Sequence, residues 1–127
     1  MSNEVRVAVL NADPNQLASL RERLSGLECA GASFDANAGT IEWSMEGQPD
    51  VLLVHGTDDP EKAVELCRKV RDAEGEKGLP LLLAITAYQM FAAHDLKRIP
   101  NSHYVIAPVD EEMVRDRVDR LRRGQDW

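Results

Sequence analysis

Two short apolar runs that do not alternate with polar residues constrain the fold of this chain more than any other feature. Residues 51–54 read VLLV, and residues 79–85 read LPLLLAI. A strand with one face in water alternates apolar and polar side chains, whereas a strand covered on both faces does not. Strands of the second kind are typical of parallel sheets with helices on both sides. The chain is therefore expected to alternate strands with helices.

The segments around these two runs fit the same alternation. Further strands are predicted at residues 5–10, 29–34 and 103–106. Asp13, Asp59 and Asp110 are natural N-caps, and proline follows the first two, so helices are predicted to begin at these points. Further helices are predicted at residues 40–45 and 88–98, the first on the weaker pattern. Five strands and five helices then alternate, which predicts an α/β fold with a parallel sheet and right-handed crossovers.

Length and charge limit the number of domains and the classes of partner. The 127 residues fit one domain, assigned to residues 1–127. A net charge of -7 disfavours nucleic acid as a partner. Arginines crowd residues 115–123, but acidic residues lie between them, which is typical of a solvated helix face.

The cysteines and the amino-terminal residues indicate a compartment. Cys29 and Cys67 lie far apart without a CxxC spacing, so neither a zinc site nor a disulfide framework is predicted. Residues 1–4 do not begin a basic and apolar leader, and no apolar run is long enough to span a bilayer. A reduced, cytoplasmic location without membrane association is therefore expected.

The predicted sheet fixes where a functional site would lie. In open α/β sheets ligands bind at the carboxyl ends of the strands. The residues at these ends occupy positions 11–13, 55–56, 86–87 and 107–108. They include Asn11, His55, Thr86 and Ala107.

The segments at these ends resemble the receiver domain of bacterial two-component response regulators. The resemblance rests on NADP at residues 11–14, PDVLLVH at residues 49–55, TA at residues 86–87, Tyr104 and APVD at residues 107–110. It implies a flavodoxin-like, doubly wound (βα)5 fold with five parallel strands in the order 2-1-3-4-5. In that family an acidic pair after the first strand holds magnesium and an aspartate ending the third strand accepts the phosphoryl group. A serine or threonine and a lysine complete the site.

The resemblance maps most of these roles onto residues that cannot perform them. The acidic pair falls on Asn11 and Ala12, the acceptor on His55 and the lysine on Ala107, whereas Thr86 keeps the hydroxyl. Magnesium requires oxygen ligands that offset its charge, so its binding is expected to be weak or absent, and no cofactor is predicted. Without metal and lysine, charge on the transferring phosphoryl group is not neutralised. The chain is thus expected to be a degenerate receiver, or pseudo-receiver.

Two of these positions leave alternatives open. Asp13 could count as one of the metal acids if the register slips, although its place before Pro14 favours a helix cap. His55 could carry a phosphoryl group itself, but a histidine at a strand end more often has a hydrogen-bonded structural role. A metal centre built from His55, His94 and His103 lacks a recognisable spacing, so the latter two are expected to be solvent-facing or capping residues.

Two features of the family's switching surface are present. Thr86 and Tyr104 match the pair that moves when a receiver switches, although a purely structural role for both is an equal alternative. The face made by the fourth helix, fifth strand and fifth helix is the family's usual surface for dimers and partners. Here it would carry Phe91, Lys97, Tyr104, Met113, Arg115 and Arg120. Met113 fits the core of the last helix better than this face.

Three functions follow from these expectations. The leading hypothesis is a phosphorylation-independent interaction and regulatory module, whose partner is a signalling protein or an output domain, or a second copy bound through that face. One alternative is a sensor that binds a small molecule or anion through Asn11, His55 and Thr86. Another is a receiver phosphorylated by a non-standard route. Enzyme activity is not expected, because no glycine-rich phosphate loop or catalytic triad is visible.

Overall fold

The computed structural model describes residues 5–75 and 78–124, which form six strands and four α-helices. The strands are β1 (Arg6–Leu10), β2 (Glu28–Asp35), β3 (Thr40–Trp43), β4 (Val51–His55), β5 (Leu81–Ile85) and β6 (Ser102–Ile106). The helices are α1 (Pro14–Arg23), α2 (Pro60–Glu74), α3 (Phe91–Leu96) and α4 (Glu111–Arg122), and a single 3-10 turn spans Ala87–Gln89. None of the helices in the described part of the chain is long and apolar enough to cross a membrane.

All six strands belong to one sheet in the order β3-β2-β1-β4-β5-β6. The pairs β1–β2, β1–β4, β4–β5 and β5–β6 are parallel, and β3 pairs antiparallel with β2. The predicted α/β class and its parallel sheet are confirmed. The predicted five strands and their order are wrong in one respect, because an additional strand forms the edge beyond β2.

That additional strand replaces the helix predicted at residues 40–45. Ile41 and Trp43 are half-buried and pack against the core, whereas Thr40 and Glu42 are exposed, and this period of two defines a strand. Residues 36–39 form the turn that reverses the chain, and Gly39 has a φ of 66° there. The hairpin therefore occupies the place of the second predicted helix.

The apolar run in β4 divides its side chains between two core clusters. Leu52 and Val54 belong to the cluster that includes residues of α2 and α3. Val51 and Leu53 belong to the cluster that includes residues of α1 and α4. All four side chains have no exposed surface. The prediction of a strand covered on both faces is confirmed, and it places the end of β4 between two helical layers.

Three helices begin at the predicted aspartates. Asp13, Asp59 and Asp110 each accept a hydrogen bond from the backbone N–H three residues later, at 2.8, 3.1 and 2.9 Å. A side-chain oxygen in this position satisfies one of the unpaired N–H groups of the first turn. The helix predicted at residues 88–98 is shorter than expected, because a 3-10 turn occupies its start and α3 has only six residues.

A buried arginine joins the loops at the amino-terminal ends of β5 and β6. Arg71 is 4% exposed and lies in the last turn of α2. Its guanidinium donates to the carbonyls of Gly75, Leu79 and Asn101 at 3.0, 2.7 and 3.0 Å. Burial lowers the pKa of Arg71 below its usual value, partly offset by the charge of Glu74. The segments that enter β5 and β6 are thus held by one side chain.

Candidate functional site

The carboxyl ends of β1 and β4 are joined by a side chain from the predicted site. Asn11 follows β1 with a φ of 66°, in the left-handed region that asparagine tolerates better than most residues. Its Nδ2 donates to the carbonyl oxygen of His55 at 2.8 Å. The structure therefore brings Asn11 and His55 together, but through the backbone of His55 and not through its imidazole.

The first acidic residue after β1, Asp13, caps helix α1. The Asp13 carboxylate accepts from the Gln16 backbone, and the Gln16 side chain accepts from the Asp13 backbone N–H at 2.9 Å. Gln16 also donates to Asp58 at 2.7 Å. Ala12 is half-buried and packs against the core. Asp13 thus serves as the helix cap that its place before Pro14 predicted.

The donor set at this edge does not fit magnesium. The position at the end of β4 holds an imidazole in place of a carboxylate. The carboxylates that follow β1 and β4, those of Asp13, Asp58 and Asp59, already accept hydrogen bonds. Within residues 5–75 and 78–124, no group of three or more His, Cys, Asp or Glu side chains is placed to hold a metal ion. Octahedral oxygen coordination by carboxylates therefore lacks its ligands here.

His55 lies half-buried at the end of β4. Its Nε2 is 3.5 Å from Thr57 Oγ1, at the outer limit of a hydrogen bond. Its Nδ1 is buried and has no hydrogen-bond partner among the residues that the structure describes. Most buried polar atoms in proteins are paired. The imidazole is thus not fixed by the strong structural hydrogen bonds expected of it.

Gln89 connects Thr86 to the loop after β4. Its side-chain oxygen accepts from the Thr86 N–H at 2.9 Å, and its Nε2 donates to the Thr57 carbonyl at 2.8 Å. The Ala107 N–H donates to the Ile85 carbonyl at 2.7 Å, which places Ala107 directly beside the end of β5. Sequence reasoning missed Gln16 and Gln89. Each follows a cap residue by three positions, and this capping-box spacing is the signal that could have found them.

A partly enclosed cavity of about 160 Å³ lies beside these strand ends. His55 and Ala107 are the predicted site residues in its lining; Asn11 and Thr86 do not line it. The remaining walls come from α1, the loop after β4, β5 and the loop after β6, and they comprise Gln16, Ser19, Leu20, Arg23, Thr57, Ala84, Pro108 and Val109. The cavity is therefore bounded by α1, and the predicted hydroxyl of Thr86 is not part of its wall.

The two residues of the predicted switch pair have separate surroundings. The Thr86 N–H donates to the Gln89 side chain. Tyr104 is half-buried on β6, and the Arg117 guanidinium lies 5.9 Å from its ring centroid. Arg117 Nε also donates to the Tyr104 carbonyl at 3.1 Å. Coupled movement of Thr86 and Tyr104 stays a prediction.

The expectation that His103 faces solvent or caps a helix is wrong. The residue is 4% exposed, and its Nδ1 accepts from the Tyr104 N–H at 2.8 Å. Burial lowers the pKa of His103 to about 4. The Tyr104 carbonyl oxygen, 3.0 Å from Nδ1, partly opposes this decrease, because it accepts a hydrogen bond from a protonated Nδ1. The charges of Arg117 and Arg120 lower it further. His94, in contrast, is exposed on α3.

The predicted interaction face contains both exposed and packed residues. Phe91 is 54% exposed, and Lys97, Arg115 and Arg120 are exposed as well. Arg120 pairs with Asp116 at 3.1 Å. Met113 is half-buried and packs against the core, which agrees with its alternative assignment.

Two exposed apolar residues next to Phe91 were missed. Tyr88 is 96% exposed and Met90 is 37% exposed. Both lie in the loop between β5 and α3, directly after Thr86. Residues 87–91 read AYQMF, and this run of large apolar residues could have indicated an exposed cluster. The predicted helix at residues 88–98 instead placed these side chains on different sides of a helix.

No protein-family model matches this chain, and no curated protein sequence does. Solved structures do match. A putative pilus assembly-related protein from Burkholderia pseudomallei is 14% identical, with a TM-score of 0.63 over 100% of this chain and 96% of that one. The BeF3-activated DrrB receiver domain is 17% identical, with a TM-score of 0.58 over 94% and 98%. The pilus assembly protein CpaE from Caulobacter crescentus is 14% identical, with a TM-score of 0.56 over 93% and 99%. The chain therefore has the α/β fold seen in response-regulator receiver domains.

Proposed function

We propose that this domain is a degenerate receiver that regulates another protein by binding it, without being phosphorylated and without catalysing a reaction. The observation that carries the proposal is the chemistry at the strand ends. His55 stands at the acceptor position and Ala107 at the position of the lysine. In the part of the chain that the structure describes, the carboxylates that follow β1 and β4, those of Asp13, Asp58 and Asp59, all accept hydrogen bonds from the protein. Phosphoryl transfer to aspartate needs an acceptor carboxylate, uncommitted carboxylates for the metal and a lysine. No cofactor is part of the proposal.

An exposed apolar cluster supports the binding role. Tyr88, Met90 and Phe91 are exposed and lie within four consecutive positions of the chain, shortly after the strand end that carries Thr86. Aromatic residues and methionine are enriched in protein interfaces, and contiguous apolar surface is unusual on a protein without partners. We assign this cluster, together with Lys97 and Arg115 of the predicted face, to partner binding.

The partner is proposed to be a signalling protein or an output domain, or a second copy of the chain, in the cytoplasm. Both cysteines are free, as is usual in a reduced compartment. Burial raises the pKa of Cys67 to about 12, so its thiol is unreactive. Pilus assembly is a second candidate context. Three of the similar structures, including a putative CpaE2 protein from Sinorhizobium meliloti, carry names that refer to it.

The His55→Asp variant is expected to remain unphosphorylated. It restores a carboxylate, but Asn11, Ala12 and Ala107 still leave the phosphoryl charge without a metal or a lysine. Incubation with acetyl phosphate and Mg²⁺, followed by intact-mass spectrometry, measures the incorporation of a phosphoryl group. The variant that also carries Asn11→Asp, Ala12→Asp and Ala107→Lys is the matched control. Stoichiometric phosphorylation of the wild-type domain would contradict the proposal.

Replacement of Tyr88 and Phe91 by serine is expected to weaken partner binding by at least about 30-fold, because buried aromatic residues dominate interface energies. The partner is first isolated by affinity capture from the source organism, and its affinity is then measured with purified proteins. Both residues are exposed, so the fold should persist, which circular dichroism verifies. Arg68→Ser on α2 is the control and should bind normally. An unchanged affinity of the double variant would show that the partner uses another face.

A further inference from the structure

The cavity beside His55 is the feature that partner binding leaves unexplained. Its volume is about 160 Å³, and a cavity of about 150 Å³ is large enough for a molecule the size of benzene. Leu20, Ala84 and Val109 are buried side chains in its wall. Ala107 lines it with a single methyl group, so a longer side chain at that position would extend into this space. The inner part of the cavity therefore suits a small hydrocarbon group.

The outer part of the cavity is polar and carries one uncommitted cation. Ser19, Gln16 and Thr57 contribute polar side chains to its lining. Arg23 also lines it, and this guanidinium makes no hydrogen bond or ion pair with any residue in the ranges 5–75 and 78–124. In contrast, Arg21 on the same helix donates to the Cys29 carbonyl at 3.0 Å. A guanidinium binds a carboxylate through two parallel hydrogen bonds.

His55 adds a second polar group that the fold does not use. It lines the same cavity, and its buried Nδ1 is unpaired within the described residues. A fully hydrophilic anion such as phosphate would lose its hydration against the apolar walls without compensation. An amphipathic anion would instead match both the apolar wall and the cationic rim.

We propose that this cavity binds a short-chain carboxylate of about butyrate size, with its hydrocarbon chain against Leu20 and Ala107 and its carboxylate on Arg23. The ligand would bridge α1 to the loop after β6 and so provide an input that does not require phosphorylation. This inference goes beyond partner binding and does not depend on it.

A titration of the ¹⁵N-labelled domain with sodium butyrate tests the inference. The expected result is a saturable shift of the Ser19, His55 and Ala107 amide signals with a Kd of about 1 mM, the weak range for so small a ligand. Sodium chloride at equal ionic strength is the control for an effect of salt. Butan-1-ol has the same chain without the charge, and it is expected to bind at least about tenfold more weakly.

Two variants test separately the contributions of the cationic rim and the apolar wall to butyrate binding. Arg23→Gln is expected to weaken butyrate binding about tenfold, because it removes one charge-assisted interaction from an exposed position. Ala107→Leu is expected to abolish binding by filling the cavity. Arg68→Gln, which lies outside the cavity, should bind as the wild type does. Unsaturable shifts, equal affinity for butanol, or wild-type affinity in Arg23→Gln would overturn the inference. If Ala107→Leu does not fold, the butyrate affinity of Arg23→Gln is sufficient to test the inference.

Discussion

Replacement of Arg71 by alanine is expected to lower the free energy of unfolding by about 3–5 kcal/mol. The guanidinium is buried and donates to three backbone carbonyls, those of Gly75, Leu79 and Asn101. Alanine would leave these carbonyls without their donor and would open a void beneath the loops that enter β5 and β6. Arg71→Lys should lose about half as much, because one ammonium group cannot reproduce the planar fork.

Urea denaturation at pH 7, followed by circular dichroism, measures this loss. Arg68→Ala is the matched control on the same helix. Arg68 is exposed and pairs with Glu65 at 3.5 Å, so its removal should cost about 0.5 kcal/mol or less. If Arg71→Ala were as stable as Arg68→Ala, the three hydrogen bonds would not contribute to the stability of these loops.

Acidification from pH 7.5 to 4.5 is expected to destabilise the domain by about 2–3 kcal/mol through His103 alone. The pKa of this histidine is lowered from 6.5 to about 4 in the folded protein. Between these two values the unfolded chain binds a proton that the folded chain does not, so stability rises with pH across this interval. Above about pH 6.5 the contribution no longer changes.

The His103→Asn variant isolates this effect. Asparagine is uncharged at every pH, and its side-chain oxygen can accept from the Tyr104 N–H, so the variant should lose about 2–3 kcal/mol less on acidification than the wild type does. Urea midpoints at pH 7.5 and 4.5 give the comparison. His94→Asn on the exposed side of α3 should behave as the wild type does. An equal loss in His103→Asn and wild type would show that His103 titrates normally.

Sequence patterns predicted much of the fold because the spacing of apolar residues indicates which segments are buried. The runs in β4 and β5 lack polar positions, and aspartates mark the starts of α1, α2 and α4. The β2–β3 hairpin was missed for a physical reason. Ile41 and Met45 are four residues apart, which fits a helix, whereas the period of two over Thr40–Trp43 is too short to decide between the two structures.

The residues at the strand ends were predicted more reliably than the contacts that they make. Strand ends are predictable because parallel strands finish at one edge of a sheet, so Asn11, His55, Thr86 and Ala107 could be named. The burial of His103 could not be predicted, since one histidine in a short strand is compatible with either face. Arg23 could not be assigned to the cavity, because its position depends on how α1 packs against the loop after β6.

The apolar character of β4 on both faces has a consequence for the alignment of the strands. In a strand with one polar face, a shift by one residue would bury polar groups, and this penalty fixes the register. In β4 a shift would exchange one apolar side chain for another, so hydrophobicity alone cannot hold it in place. Hydrogen bonds at the two ends of β4 fix its register instead. Asp50 and Arg6 exchange bonds at the entry to the strand, the Arg6 N–H to the carboxylate at 2.8 Å and the Asp50 N–H to the Arg6 carbonyl at 2.7 Å. At the exit Asn11 holds the carbonyl of His55, so this asparagine aligns the centre of the sheet.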